Sequence, residues 1–156
     1  MIAFAAMFVR CGRVGRYRCG AAPGLHRHKQ RDFQESVMVE DWLALMGTMN
    51  GAVRDLRAAS PDVMKAFSDM ARAAHGGEAL DAKTKELVAL AISVAVRCDP
   101  CIAYHAEGAV KQGASRAEVS ETLAMAVYMG AGPSVMYAAK ALEAVDQIVA
   151  REAPMP

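Results

Sequence analysis

Two cysteines three apart, Cys98 and Cys101, are followed four residues later by His105. In a helix those offsets return the second cysteine and the histidine to one side. Pro100 suits the first position of a helix and Asp99 the cap before it. Cys101 then falls in the first turn, where unpaired backbone N–H groups and the helix dipole favour a thiolate. His105, one turn on, can take or return the thiol proton. Cys98, just ahead of the helix, is placed to close a disulfide with Cys101.

Three chemistries fit a Cys-x-x-Cys pair in an intracellular chain: a redox dithiol, a metal site, or two buried structural cysteines. Covalent haem needs His directly after the second cysteine, and that position is Ile102. Zinc needs a fourth ligand, for which only Glu86, Asp99 or His75 stand near enough in sequence, and no second cysteine or histidine pair closes a structural site. A thioredoxin-like fold is disfavoured by the lack of any period-two strand pattern. No Gly-rich loop follows a strand, so neither nicotinamide nor flavin is expected, and no cofactor is assigned.

Glu86 is the remaining candidate. It stands where the polar start of a helix gives way to the apolar run Leu87–Val96. It is either a surface carboxylate near Lys83 or the group that orients His105 in a Glu–His–Cys relay. If that helix ran straight to Arg97, Glu86 would lie roughly 16 Å from its end. Contact with His105 then requires a steep crossing or an early helix end.

The elements that must carry these residues are all helical. Val39 to Ala59 has apolar residues at three- and four-residue steps, with a possible break at Asn50-Gly51. Ser60-Pro61 restarts a helix to about His75, with Val63, Met64, Phe67, Met70 and Ala71 expected inward. Asp81 caps a third, Ala82 to about Arg97, apolar nearly all round from Leu87 and so expected to be central. Pro100 opens a fourth, which Gly113 stops. Ser115-Arg116-Ala117-Glu118 is a capping box for the fifth, with Val119, Leu123, Ala126 and Val127 inward. Gly130-Ala131-Gly132 ends it and Pro133 starts a sixth, with Val135, Ala138, Ala139, Leu142, Val145 and Val149 on one side. The expectation is an all-α, single-domain bundle of about six helices with short connections.

The chain of 156 residues is 54% apolar and only 6% aromatic, so the core is made of Ala, Val, Leu and Met. That apolar excess in one small domain suggests burial between subunits. Residues 1–31 hold seven Lys/Arg and no Asp/Glu, while residues 38–156 hold eleven against fifteen, a net charge of −4. The mildly acidic body argues against nucleic acid as a partner. Residues 1–37 read as a basic, disordered N-terminal extension, which is without function, an Arg-rich targeting segment or an arm that docks elsewhere, and 38–156 as the domain. Cys11 and Cys19 fall in the extension and receive no role. The longest apolar run is about half of the roughly 20 residues a membrane span requires. The expected location is the cytoplasm, away from membranes.

Glu86, eleven residues, Cys98, two residues, Cys101, three residues, His105 resembles the E-x11-C-x2-C-x3-H signature of the alkylhydroperoxidase D-like proteins (AhpD-like), within the carboxymuconolactone decarboxylase superfamily. Asp81 to Leu87 before the motif, Gly113-Ala114-Ser115 with Glu118 after it, and Tyr128-Met129-Gly130 are similar too. The likeness spans roughly Ser60 to Gln147. It implies an all-α fold assembled as a homotrimer or homohexamer. It also implies an antioxidant activity in which the cysteines reduce peroxides or serve a partner peroxidase, with an external dithiol or protein reductant. Cys98, Cys101, His105 and Glu86 then form the site. Decarboxylases of the superfamily typically lack the cysteine pair, which disfavours that activity. One position departs: the best-known members carry a second histidine just before the second cysteine, and here it is Pro100, which cannot relay a proton. A weaker peroxidase, or a different reductant, is the expected consequence. The alternative from another class is a non-catalytic helical oligomer that senses oxidants or binds a partner through the dithiol; a metal-binding module ranks below it.

Overall fold

Alanines set the spacing of this bundle. A computed structural model describes residues 40–152, which fold into helices α1 (Trp42–Ala59), α2 (Pro61–His75), α3 (Ala82–Ala95), α4 (Asp99–Lys111) and α5 (Arg116–Glu152). The extension at 1–37, with Cys11 and Cys19, lies outside the described residues. Ala103, Ala106, Ala126, Ala138, Ala141 and Ala144 are buried and leave room for Leu90, Val94, Ile102, Val119, Leu123, Val145 and Ile148 to fill the core. Trp42 and Met46 of α1 close one side of it.

Among the described residues five helices stand where about six were expected, because the last two run together across a kink. α5 covers both of the last two, yet it is not regular: Ala131 has φ 51° and ψ −148°, and Pro133 follows. The Gly130-Ala131-Gly132 signal thus ends one helical segment and Pro133 starts the next, as expected, with a kink at Ala131 in place of a longer connection. Below the break Val119, Leu123 and Ala126 face inward as expected; beyond it the buried side is Ser134, Ala138, Ala141, Val145 and Ile148. Val135 and Val149, expected on that side, are exposed. α1 is continuous through Asn50-Gly51.

Of the capping signals, Asp81 and the Ser115–Glu118 box form as expected, while Ser60 stands at the cap of α2 without a side-chain cap bond. Asp41 accepts from the Ala44 N–H at 2.9 Å and Asp81 from the Thr84 N–H at 2.7 Å. In the Ser115 box, Glu118 Oε2 accepts from the Ser115 N–H at 2.8 Å while Ser115 Oγ accepts from the Glu118 N–H at 3.2 Å. These bonds satisfy donors that a helix start otherwise leaves open.

Two expectations about burial fail. α2 buries no residue: Val63, Phe67 and Met70 are exposed, because α2 packs chiefly on α1 and extends away from the core. α3 is central, lying against both α4 and α5, but Val88, Ile92 and Val96 form an exposed stripe along it. Periodicity identifies an apolar face without saying whether the same chain covers it.

Candidate functional site

The α3–α4 hairpin builds the site. α3 ends at Ala95, and the chain reverses through a turn in which the Cys98 N–H donates to Ser93 O at 3.1 Å and the Arg97 N–H to Val94 O at 3.2 Å. This is the Schellman arrangement, with Arg97 at the left-handed position, φ 59°. α4 then returns antiparallel alongside α3, bringing Gly108 near its end against Glu86 near the start of α3. The helix-length argument against a Glu86–His105 contact is thereby answered: α3 does end early, and α4 folds back along it.

Cys98 and Cys101 form a disulfide across Cα atoms 5.2 Å apart. The cap of α4 is not Asp99, as expected, but Cys98, whose Sγ accepts from the Cys101 N–H at 3.3 Å. Asp99 and Pro100 occupy the first two helical positions. The amide and dipole of the helix start therefore favour negative charge on the Cys98 sulfur. Asp99 is drawn elsewhere: its Oδ2 accepts from Lys140 Nζ at 2.8 Å, and that bond raises the Lys140 pKa. Lys140 also stands 5.3 Å from the Tyr137 ring centre and 6.0 Å from that of Trp42. The pair ties the start of α4 to the second half of α5.

His105 sits one turn past Cys101, and its Nδ1 lies 2.8 Å from Glu86 Oε2. A carboxylate can only accept, so Nδ1 carries the proton and Nε2 is left as the basic nitrogen. The carboxylate side chain is only 18% exposed and the imidazole 32%. Glu86 is thus not a surface partner of Lys83, whose Nζ instead donates to Glu118 Oε1 at 2.6 Å.

Two residues of this site were not identified in the sequence. Gly108 gives Glu86 its space: a Cβ there would meet Glu86 Oε2 at 2.5 Å and Cδ at 2.6 Å. The signal available was its placement three residues after His105. His75, at the end of α2, brings its Nδ1 within 3.9 Å of Glu86 Oε1. Its sequence position gave only a remote zinc-ligand option. Among the described residues no group of three or more His, Cys, Asp or Glu side chains is placed to hold a metal ion. No helix among them is long and apolar enough to cross a membrane.

Known proteins place this hairpin in a wider context. The sequence profile of the carboxymuconolactone decarboxylase family matches residues 61–144. An uncharacterized protein of Cupriavidus necator is 36% identical over 111 residues, covering 71% of this chain and 98% of that protein. One from Haemophilus influenzae is 43% identical over 107 residues, covering 69% and 95%. The crystal structure of an apo carboxymuconolactone decarboxylase family protein from Legionella pneumophila superposes with a TM-score of 0.67 at 46% identity, covering 69% of this chain and 96% of that one. A Thermotoga maritima structure gives a TM-score of 0.65 at 28% identity, with coverage of 70% and 96%. With the profile spanning more than half the chain and the bundle shared with solved relatives, the chain belongs to the carboxymuconolactone decarboxylase family.

Proposed function

We propose that the protein is an antioxidant thiol–disulfide oxidoreductase with peroxidase activity toward hydroperoxides. The observation that carries this reading is a Cys98–Cys101 disulfide at the start of α4 beside a His105–Glu86 hydrogen bond. A structural disulfide has no need of an oriented imidazole one turn away.

In the reduced protein His105 Nε2 takes the Cys101 thiol proton, and Glu86 stabilises the imidazolium through Nδ1. The Cys101 thiolate attacks the terminal peroxide oxygen. The S–O bond forms, the O–O bond breaks, and the alkoxide leaves as alcohol with the proton from His105. Cys98 then attacks the sulfenic acid, the disulfide closes, and water leaves. An external dithiol reopens the disulfide through a mixed disulfide and is itself oxidised. The amide that caps Cys98 supports it as the leaving sulfur in that exchange.

The exposed stripes Val63, Phe67 and Met70 on α2 and Val88, Ile92 and Val96 on α3 support a homo-oligomer, trimer or hexamer, as the working form. In this reading the activity belongs to residues 38–156, and the protein works in the cytoplasm.

The test is peroxide consumption driven by a dithiol reductant, in wild type, Cys98→Ser and Cys101→Ser, with free thiols counted before and after oxidation. Loss of turnover in both variants, with two thiols lost per oxidised wild-type chain, is the expected result. Wild-type turnover at the rate of buffer with untouched thiols overturns it. Reversible thiol oxidation without peroxide turnover would instead favour an oxidant sensor.

A further inference from the structure

Asp99 is the stronger acceptor at the start of α4, yet the amide there is taken by the Cys98 sulfur. Donors at this helix start are few. Pro100 has no N–H, and the Ile102 N–H donates to Cys98 O at 2.9 Å. The Cys101 N–H, which donates to Cys98 Sγ at 3.3 Å, is thus the inner amide of the first turn for which sulfur and carboxylate compete. An ionised carboxylate outbids sulfur for such a donor, because hydrogen bonds to charged acceptors are the stronger ones. Asp99 does not compete, since Lys140 on α5 holds its Oδ2 at 2.8 Å. The two side chains are only 29% and 23% exposed, so solvent screens the pair little. Asp99 Oδ1 is buried and makes no hydrogen bond among the described residues, which leaves the carboxylate dependent on Lys140. The ammonium is itself fixed, 5.3 Å from the Tyr137 ring centre and 6.0 Å from that of the fully buried Trp42. The other ionisable groups about the pair are Glu40 ahead of α1 and Tyr137 on α5. Arg97 precedes Cys98 in the chain, and His105 with Glu86 lies one turn past Cys101.

We propose that Lys140 is a positioning residue for the dithiol: by holding the Asp99 carboxylate against α5, it reserves the Cys101 amide for the Cys98 sulfur and makes Cys98 the leaving sulfur when the disulfide is reduced. The inference rests on the thiol–disulfide reading above. The step it serves is disulfide opening. A thiolate of the external dithiol bonds to the Cys101 sulfur, the Cys98–Cys101 bond breaks, and the electron pair leaves on Cys98. The Cys101 N–H and the helix dipole stabilise that thiolate. The second thiolate of the reductant then closes its own disulfide and frees Cys101. Two electrons pass to the two cysteines, and the protons of the dithiol go to solvent or to the freed sulfurs. Without the ammonium the carboxylate turns to the helix start, takes the Cys101 N–H and sets a negative charge beside Cys98. Both changes disfavour the thiolate.

The experiment measures the pH profile of Cys98 alkylation by iodoacetamide in the full-length Cys101→Ser protein, read by mass on the Cys98 peptide. It compares Lys140→Met, Lys140→Arg, Asp99→Ala and the Asp99→Ala/Lys140→Met pair in that background, each checked for helix content. Lys140→Gln serves as a second neutral variant should Lys140→Met lose helix. Lys140→Met should raise the midpoint of the profile by about one pH unit. Lys140→Arg, which keeps the ion pair, should restore it. With Asp99→Ala in place there is no carboxylate to hold, so Lys140→Met should move the midpoint little further. With both cysteines present, Lys140→Met should also slow the opening of the disulfide by dithiothreitol several-fold, since a more basic thiol leaves more slowly. An unmoved midpoint in the neutral Lys140 variants overturns the inference and leaves the oxidoreductase reading standing. So does a shift that persists in full with Asp99→Ala, or one that Lys140→Arg does not restore. A wild-type disulfide that opens no faster than in the urea-unfolded chain overturns the oxidoreductase reading, and the inference with it.

Discussion

A Cβ on Gly108 would stand 2.5 Å from Glu86 Oε2, the oxygen bonded to His105. The empty space beside a glycine in α4 thus lets a carboxylate from α3 reach an imidazole on α4. Gly in a helix interior costs about 1 kcal/mol relative to Ala. Keeping it here exchanges helix stability for the position of one side chain.

Gly108→Ala is accordingly expected to push the carboxylate off Nδ1 while changing overall stability by no more than about 1 kcal/mol, since helix propensity offsets the clash. Peroxide turnover should fall by about 10- to 100-fold, the scale of a 1 Å misplacement at a catalytic group. Combined with Glu86→Gln, the substitution should cost little more than Glu86→Gln alone. Full activity in Gly108→Ala would show that Glu86 does not act through His105.

The second prediction concerns Cys98. With Cys101→Ser in place, the Cys98 sulfur keeps its position over the residue-101 N–H at the start of α4. Amide and dipole stabilise its thiolate, so iodoacetamide should alkylate it several-fold faster at pH 7 in the folded protein than in urea. Slower alkylation in the folded state would mean that the cap does not govern this sulfur.

What was legible in the sequence follows from how local each signal is. Asp81 and the Ser115–Glu118 pair act on backbone within three residues, and both caps form as their spacing indicates. The four-residue signature likewise depends on spacing along one hairpin. The cap at Cys98 was missed because Asp99 is the better capping residue in isolation, and its carboxylate is instead taken by Lys140, 41 residues away. Gly108 and His75 were missed for a related reason. Each matters through Glu86 on another helix, and no pattern within α4 or α2 records that contact. The exposed face of α2 shows the same limit: its apolar period is real, but nothing among the described residues covers it.

Arg97 carries the third prediction. It occupies the left-handed position of the α3 C-terminal turn, φ 59°, where a side chain costs about 1 to 2 kcal/mol relative to glycine. Arg97→Gly should stabilise the oxidised protein by about 1 kcal/mol, read as a higher urea midpoint at unchanged slope. A lower midpoint would show that the Arg97 side chain contributes more than its backbone costs.

The fourth prediction concerns acid stability. Lys83 Nζ donates to Glu118 Oε1, and Ser115 donates from both its N–H and its hydroxyl to Oε2. The Lys83 bond first, then the Ser115 bonds, hold the Glu118 carboxyl at about 2 against an ordinary 4.5. A carboxyl depressed on folding favours the native state above its unfolded value, and that contribution disappears as pH falls through the folded one. The loss therefore begins near pH 4.5 and is complete near pH 2. Its size is limited by solvent screening, because the side chain is 41% exposed. Glu118→Gln should flatten that part of the acid limb in urea titrations from pH 2 to 6, and also lower stability at pH 7 by removing the charge that joins α5 to α3. An acid limb identical to wild type in Glu118→Gln would assign the pH dependence to other carboxylates, Glu107 first among them, whose pKa the Arg151 hydrogen bond also lowers.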